Sequence, residues 1–597
     1  MLSGHRVMEK LRVTLLCVFV ALLWCLAYGR TSPAAWATPV HYDADAWLVL
    51  ATLKTAQDGH VVPFSPLYVP ELGAPFEANW NDFPNFLRQH KLQLWLAGGL
   101  CRGLGLFAAS NLALLLAHVL AACSFYGVAR YFRARSEWAL AGACAFAFSA
   151  YLFYRSLDHL NLSFCWPIPL AILLVSWAFG WRGIPVGSRR FRIGLAIVVV
   201  AGLHNVYYAI LLAQFLALAG FAQLLRGRGR KRSLVLGPWL LVLALVGAVL
   251  ADSANVLASN WARGAGLPTE ARPYGNLERY ALKPIELLLP APGWGLTPWP
   301  SLATAYAEGA LYRGEMGSAY LGLAGLVGLT WMCLSTFRGY LQRRRGFLPG
   351  ALIASAWILV YSVVGGLNGL LGALGFTWLR GTNRYSVWIL ALVLLWVVGR
   401  VSRAPWTQQR AVSLAAAALA AGIALVDQPP PSPPAAQLAE VRQTMASDRT
   451  FARSLESALP PEAMIFMLPV VDCPEGARVR KATDYEHFRL YLFSTRLRFS
   501  YGSDKGRPRE AWQRRVESLE PEAMATALAR MGFAGVVVNR KAYPDGAQAL
   551  RESLAASGRL EAWESPDRDF LFVRLAPGPS PEPPDLVVPP AGEGEGS

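Results

Sequence analysis

The sequence predicts a polytopic α-helical membrane protein of about 11 transmembrane helices with a small C-terminal α/β domain outside the membrane. Hydrophobic residues make up 54% of the 597 residues, and the mean hydropathy is +0.33. Apolar runs of about 18 or more residues recur as far as residue 427, and runs of this length are typical of transmembrane helices. Basic clusters fall at every second connection between these runs, as they do in multi-pass membrane proteins.

The first predicted helix covers residues 13–29 and follows the basic residues Arg6, Lys10 and Arg12. A cleaved signal peptide is the alternative, because small residues follow this run. We favour a retained helix, since cleavage would leave an acidic pair at a free terminus. The other helices are predicted near 106–131, 137–155, 162–181, 193–204, 207–225, 234–251, 318–337, 348–366, 385–400 and 411–427.

The charge distribution predicts the orientation and excludes a nucleic-acid partner. The chain has a net charge of +17, but residues 428–597 hold 21 basic and 23 acidic residues, so the excess lies between the apolar runs. The basic clusters share a side with the N-terminus, which the positive-inside rule makes cytoplasmic. The protein is therefore expected in the inner (plasma) membrane of a bacterium, with the first loop (residues 30–105) and the C-terminal domain extracytoplasmic.

Composition divides the chain into four segments. Residues 1–427 form the transmembrane domain, and the Pro-rich stretch 428–440 is a stiff linker. In 441–576, β-like runs at Ala463–Val471, Phe488–Phe493, Gly535–Asn539 and Phe570–Leu575 alternate with helix-like runs, which is typical of an α/β domain. The tail 577–597 is rich in Pro, Gly and Glu and is expected to be disordered.

Chemically active side chains collect on the predicted outer side. Asp43 and Asp45 directly follow the first helix, and a carboxylate pair beside a membrane is costly unless it binds a cation, takes a proton or pairs with a base. The other candidates are Asp82, His90, Asp158, His159, Arg380 and Arg384. Each has a plain alternative: Asp45 could cap a helix, Asp82 could form a turn, His159 could pack at the interface and Arg384 could snorkel to headgroups.

Several short stretches resemble the GT-C superfamily of integral-membrane glycosyltransferases, in a bacterial, YfhO-like branch. The first is Tyr42-Asp43-Ala44-Asp45-Ala46-Trp47, with Leu72-Gly73-Ala74-Pro75-Phe76 and Asn81-Asp82-Phe83-Pro84 further along the first loop. Arg155-Ser156-Leu157-Asp158-His159-Leu160 and Leu379-Arg380-Gly381-Thr382-Asn383-Arg384-Tyr385 are similar to later loops of that branch. The similarity extends over most of residues 10–430.

The resemblance implies transfer of a sugar from a polyprenyl-phosphate donor to a glycan, lipid or protein acceptor on the outer membrane face. It makes Asp45 the catalytic carboxylate and Asp43 its partner, in a DxD-like pair that could hold Mg²⁺ or Mn²⁺. Asp82, His90, Asp158, His159, Arg380 and Arg384 would contact substrate, with arginine on the donor phosphate. Membrane lipid is the remaining expected partner.

Two other functions fit the same architecture. A glycolipid transporter or flippase would need polar residues at mid-membrane and often internal repeats, whereas polarity here collects on one side. A non-catalytic cell-envelope assembly factor would bind a partner through its external domain, and its aspartate pair would be dispensable. The one-sided placement of the polar residues favours the enzyme.

Overall fold

The structure is a computed structural model that describes residues 2–81, 90–226, 232–262, 272–296, 299–343, 348–431, 433, 435–503, 508–556 and 561–575. The predicted fold class is confirmed: most elements are helices, and one small sheet lies in the C-terminal part. The predicted tail 577–597 and candidate Asp82 lie outside these residues.

The described part of the chain contains twenty-four α-helices, which are numbered in chain order. They are α1 (Leu2–Ala27), α2 (Pro33–Trp36), α3 (Ala44–Asp58), α4 (Lys91–Leu104), α5 (Leu106–Tyr131), α6 (Ser136–Ala147), α7 (Ala150–Arg155), α8 (Leu160–Ser163), α9 (Pro167–Phe179), α10 (Arg189–Gly202), α11 (Val206–Leu225), α12 (Arg232–Ala262), α13 (Tyr274–Arg279), α14 (Trp299–Gly309), α15 (Gly322–Leu341), α16 (Gly350–Ser362), α17 (Leu367–Ala373), α18 (Ser386–Val401), α19 (Arg410–Asp427), α20 (Ala435–Ala458), α21 (Phe488–Tyr491), α22 (Pro508–Glu517), α23 (Pro521–Arg530) and α24 (Gln548–Ala556).

Each of the 11 predicted membrane helices has a counterpart among the observed ones. Within the described residues, seven helical segments are long and apolar enough to cross a membrane, and α9 and α16 are shorter apolar helices. The protein is therefore a multi-pass membrane protein. The count of 11 crossings and the orientation of the termini stay predictions.

The chain forms two compact units, each discontinuous in sequence. Unit 1 comprises residues 1–35, 111–250 and 272–433, and it holds most of the long apolar helices. Unit 2 comprises residues 36–110, 251–271 and 434–597. Most of the first loop therefore belongs to the same unit as the C-terminal α/β domain.

The sheet of unit 2 has five strands in the order β4-β3-β5-β7-β6. Strand β3 runs parallel to β4 and β5, while β7 is antiparallel to β5 and β6. A separate hairpin in the first loop joins β1 to β2. The strands are β1 (Tyr68–Val69), β2 (Ala78–Asn79), β3 (Met464–Leu468), β4 (Arg498–Phe499), β5 (Phe533–Asn539), β6 (Ala562–Glu564) and β7 (Phe570–Arg574).

The first loop extends this sheet at its β4 edge. The N–H of Phe499 donates to the carbonyl of Glu71 (2.8 Å), and the N–H of Ala74 donates to the carbonyl of Phe499 (3.0 Å). Edge strands expose unpaired backbone groups, and the loop covers them here. The guanidinium of Arg498 also donates to the carbonyls of Pro70, Pro75 and Phe76. First loop and C-terminal domain thus share one hydrogen-bonded framework.

One strand prediction is wrong. The run Phe488–Phe493 forms a short helix, α21, rather than a strand. Its four residues are all buried, including Arg489, and a short apolar run without alternation does not distinguish a buried strand from a buried helix. The other three predicted strands correspond to β3, β5 and β7.

Two cysteines in unit 1 offer a test of its helix packing. The thiol sulfurs of Cys17 on α1 and Cys123 on α5 lie 3.5 Å apart. We expect mild oxidation of the membrane-embedded protein to join them, so that the helices stay linked on a non-reducing gel after proteolysis of the first loop. Cys17→Ser should abolish the cross-link and Cys333→Ser should leave it unchanged. A cross-link that survives Cys17→Ser would contradict this packing.

Candidate active site

A largely buried carboxylate in unit 1, that of Glu315, is shared by two arginines. Glu315 Oε2 accepts a hydrogen bond from Arg155 Nη2 at 2.6 Å, and Glu315 Oε1 accepts one from Arg384 Nη2 at 2.7 Å. Arg384 Nε adds a contact to Oε2 at 3.3 Å. Because two cations face one anion, the cluster carries a net charge of +1.

The cluster is held by three separate parts of the chain. Arg155 is the last residue of α7, and Arg384 lies in the one-turn 3-10 helix Thr382–Tyr385 before α18. Glu315 lies in the connection before α15. After Arg155 the backbone turns sharply at Ser156, whose φ of 43° is one that L-residues rarely adopt. Such conformations persist where the surroundings enforce them, and they concentrate at functional sites.

Arg155 retains hydrogen-bonding capacity. Its side chain is fully buried, its Nη2 also donates to Ser318 Oγ (3.1 Å), and its Nε and Nη1 have no hydrogen-bond partner among the described residues. A buried cationic donor without a partner is costly, by about 1–3 kcal/mol or more. A ligand oxygen could meet these N–H groups, and arginine is the side chain best suited to phosphate oxygens.

The electrostatics keep Glu315 ionised. Burial by itself raises the pKa of this carboxyl, but the positive charges of Arg155 and Arg384 outweigh it and hold the pKa well below its usual range. The guanidinium carbon of Arg384 also lies 4.6 Å from the ring centroid of Tyr207, and that of Arg155 lies 5.3 Å from the Tyr151 ring centroid. The two arginines are therefore held in fixed places.

His159 lies beside this cluster as a neutral imidazole. Burial lowers the pKa of His159 to about 3, and the neighbouring charges of Arg155, Arg384 and Arg380 lower it further, whereas Glu315 opposes them. It could donate or accept a hydrogen bond but would not carry a positive charge to a phosphate at neutral pH. Three of the candidate residues, His159, Arg380 and Arg384, therefore lie near one another in unit 1.

The remaining candidates of unit 1 lie nearby. Arg380 is half-buried, with its guanidinium carbon 5.1 Å from the Tyr280 ring centroid. Asp158 is half-buried and directly precedes His159. Their substrate contacts stay predictions.

Sequence reasoning gave Arg155 no role, and it missed two further functional candidates of unit 1. Glu315 follows Gly314 in a long connection between apolar runs. The sequence signal that could have indicated it is that few acidic residues lie among the apolar runs. The second, Glu286, is fully buried and accepts from the Tyr306 hydroxyl at 3.4 Å, with Lys283 Nζ at 3.8 Å. Burial raises the pKa of Glu286 to about 7, and the nearby charge of Glu315 adds to the rise.

This raised pKa predicts a pH-dependent stability. In the folded protein, Glu286 stays protonated up to about pH 7. In the unfolded chain it loses its proton above its ordinary pKa of 4.5. Its neutral form therefore supports the fold fully below pH 4.5, and the support is lost as pH rises to about 7, by about 3 kcal/mol at most. We expect thermal unfolding in detergent to occur at lower temperature over this range, and a flatter profile for Glu286→Gln. An identical profile for that variant would contradict the assignment.

In unit 2, the aspartate pair opens helix α3. Asp43 is exposed and occupies the N-cap position, but its side chain makes no capping hydrogen bond. Asp45 is half-buried in the first helical turn, where a negative charge is favoured by the helix dipole. Asp43, not Asp45, is thus the residue at the cap, so capping does not account for Asp45.

The backbone before this pair is fixed within unit 2. The Tyr42 hydroxyl donates to Asp448 Oδ2 at 2.6 Å, and Asp448 accepts two hydrogen bonds from Arg489, at 2.7 and 2.9 Å. Arg489 is fully buried and also contacts Glu486, Asp567 and Asp569. Burial raises the pKa of Tyr485, and the negative charge of nearby Asp45 adds to the rise. A rigid buried network of this kind can position a reactive carboxylate.

His90 lies at the start of α4 in unit 2. Its backbone N–H donates to Asp252 Oδ2 at 2.6 Å, and its side chain is buried. The backbone of His90 therefore helps to anchor the start of α4. Its contact with substrate stays a prediction.

No protein-family model matches the chain, and no curated protein matches it either. Several solved structures are similar. The arabinofuranosyltransferase AftD from Mycobacteria is 15% identical with a TM-score of 0.48, over 95% of this chain and 40% of AftD. The chain thus spans less than half the length of AftD.

Two other solved structures align over most of both chains. An oligosaccharyltransferase from Archaeoglobus fulgidus, solved with Zn and sulfate, is 12% identical with a TM-score of 0.43, over 93% of this chain and 72% of that one. ArnT from Cupriavidus metallidurans, bound to undecaprenyl phosphate, is 14% identical with a TM-score of 0.42, over 95% and 99%. At these identities and TM-scores, function has to be argued from the residues of this chain.

Proposed function

We propose that this chain is a membrane glycosyltransferase of the GT-C superfamily that moves a sugar from a polyprenyl-phosphate donor to an acceptor on the extracytoplasmic face. The cluster of Arg155, Glu315 and Arg384 is the main support. It holds fixed cationic donors, a net positive charge and unsatisfied N–H groups, and these features suit the phosphate of a lipid-linked donor.

In this reaction, the acceptor hydroxyl oxygen attacks the anomeric carbon of the donor sugar. A new carbon–oxygen bond forms while the bond from that carbon to the phosphate oxygen breaks. Asp45 takes the proton of the acceptor hydroxyl as general base. The electron pair of the broken bond stays on the polyprenyl phosphate, and Arg384 with Arg155 stabilises the added negative charge.

A divalent cation held by Asp43 with Asp45 is a further part of this proposal. Asp43 presents an exposed carboxylate that does not cap its helix, and Asp45 lies one residue away. Carboxylate oxygens are the hard ligands that Mg²⁺ and Mn²⁺ prefer. Bound by Asp43 with Asp45, such an ion would neutralise part of the phosphate charge. Loss of transfer on chelation, with recovery on adding Mn²⁺, would support this role.

The test is transfer by the purified full-length chain in nanodiscs. Polyprenyl-phosphate sugars with a labelled sugar would be supplied together with extracted envelope glycans, lipids and proteins as acceptors. We expect release of polyprenyl phosphate that depends on the acceptor and moves the label onto it.

Sealed vesicles that show movement of intact glycolipid across the bilayer without transfer would support a transporter instead. Full complementation of a deletion strain by a chain lacking both Asp43 and Asp45 would support an assembly factor.

A further inference from the structure

A short segment between α16 and α18, residues 364–378, is firmly anchored on one side. Helix α17 packs its small residues against α13, because a Cβ atom at Gly372 would clash with Leu277 Cδ1. Asn368 closes the segment, because its Nδ2 donates to the carbonyl of Leu379 at 2.9 Å and its Oδ1 accepts from Tyr361. The segment is thus held in a defined conformation.

The other side of this segment exposes large apolar side chains. Leu374 is 74% exposed and Trp378 is 76% exposed. The further exposed apolar residues are Val364, Leu370, Leu371 and Phe376. Contiguous exposed apolar patches on fixed elements mark interaction sites, because leaving them in water costs about 25 cal/mol per Å².

The backbone of the segment is suited to surroundings with little water. The N–H groups of Leu370, Leu374, Gly375 and Phe376 donate within the segment and its helix. The carbonyl of Trp378 accepts from Arg272 Nη1 at 2.8 Å. Within a membrane, backbone groups that lack internal partners cost several kcal/mol, so irregular chain is tolerated only where they are satisfied.

The sequence around the segment contains no charge for 34 residues, from 346 to 379. Helix α16 occupies 13 of them, about 20 Å of helix, whereas the hydrocarbon core is about 30 Å thick. Its side chains Ile353 and Val360 are exposed like those of the segment. The segment therefore continues the lipid-facing surface of a helix that is too short to cross alone.

Cations border this apolar surface. Arg272 holds the carbonyl of Trp378, and the guanidinium carbons of Arg279 and Arg380 lie 5.7 and 5.1 Å from the ring centroid of Tyr280. Aromatic rings with neighbouring arginines are typical of the headgroup region, and apolar side chains reach below it.

We infer that residues 364–378 form a membrane-inserted segment that binds the lipids of one leaflet, with Leu370, Leu374, Phe376 and Trp378 among the acyl chains. Arg272, Arg279 and Arg380 lie at the level of the lipid phosphates. The segment does not cross the bilayer; it enters and leaves on the same side and completes the hydrophobic surface begun by α16.

Nitroxide labels in the full-length protein in lipid vesicles test this inference. Leu374→Cys would be labelled in a background in which all eight native cysteines are replaced by serine. Ile353→Cys serves as the lipid-facing control and Glu522→Cys on α23 as the water-facing control. We expect the label at 374 to collide several-fold more often with oxygen than with a water-soluble nickel complex, as at 353. A collision ratio like that at 522 would overturn the inference.

A second measurement needs no substitution. A phospholipid with a photoactivatable diazirine on its acyl chain would be cross-linked to the unmodified protein, and the tryptic peptide 346–380 would be sequenced by mass spectrometry. We expect lipid adducts on residues 370–378 as well as on α16. Adducts on α16 alone would place the segment in water and overturn the inference, independently of any glycosyl transfer.

Discussion

Asp45→Asn is expected to lower the rate of sugar transfer by about 10²- to 10⁴-fold, the range that a positioned general base contributes. Asparagine has nearly the same shape as aspartate, so the first turn of α3 can keep its packing. The amide cannot accept the proton of the acceptor hydroxyl. The measurement is the single-turnover rate of the purified protein with labelled donor, at saturating acceptor.

The matched control is Glu77→Gln, an exposed acid of the same first loop. We expect that variant to transfer sugar at the normal rate. If Asp45 acts as a base, the transfer rate of the unmodified protein rises with pH as one group loses its proton. The pH–rate profile of Asp45→Asn should lack this rise. Normal transfer by Asp45→Asn would remove the base assignment while leaving the phosphate-binding role of unit 1 open.

Asp43→Asn separates the two carboxylates. If Asp43 holds a cation, its variant should need a higher concentration of Mn²⁺ for half-maximal rate, with a nearly unchanged maximum. If Asp43 binds no cation and only occupies the N-cap position of α3, the transfer rate should not depend on Mn²⁺ in the wild-type protein or in Asp43→Asn. Because Asp43 is exposed and makes no capping bond, Asp43→Asn is not expected to unfold the protein.

The transmembrane part of the fold could be predicted because a membrane leaves few alternatives. Apolar runs of sufficient length become helices in lipid, where backbone groups must be satisfied internally. Helices such as α5, α11 and α19 therefore lie within a few residues of their predicted bounds. The α/β domain was recognised from alternating runs, but Phe488–Phe493 was misassigned because four buried residues carry no periodic signal.

The arrangement of the buried charges could not be predicted in the same way. Arg155 and Glu315 are 160 positions apart, and Glu315 and Arg384 are 69 apart, so only packing joins them. Asp448 and Arg489 likewise lie on α20 and α21, and nothing in their local sequence distinguishes them from surface charges. The sequence indicated which loops contain candidate functional residues. Which charged side chains pair with one another depends on the three-dimensional fold.

Arg384→Gln is expected to reduce kcat/KM for the lipid donor by about 10²- to 10³-fold, the loss typical of removing one donor to a developing anion. Arg384→Lys should recover only part of this, because one ammonium cannot replace the Nε and Nη2 contacts that now bind Glu315. Kinetics with donor varied at fixed acceptor would measure both. Wild-type values for Arg384→Gln would contradict a role in donor binding.

Glu315→Gln tests whether the same cluster accepts an anion, without relying on activity. Removing the carboxylate leaves the buried Arg155 and the largely buried Arg384 without a counter-charge, and breaking a buried ion pair costs about 3–5 kcal/mol. We expect a lowered unfolding temperature that rises again with inorganic phosphate or pyrophosphate, because the anion restores the missing charge only in the folded state. Wild-type protein should gain less, since Glu315 already neutralises one of the two positive charges. No response of the variant to phosphate would show that these arginines pair with Glu315 for structure alone. Equal stability of Glu315→Gln and wild type would contradict the stabilising role of the pairing itself.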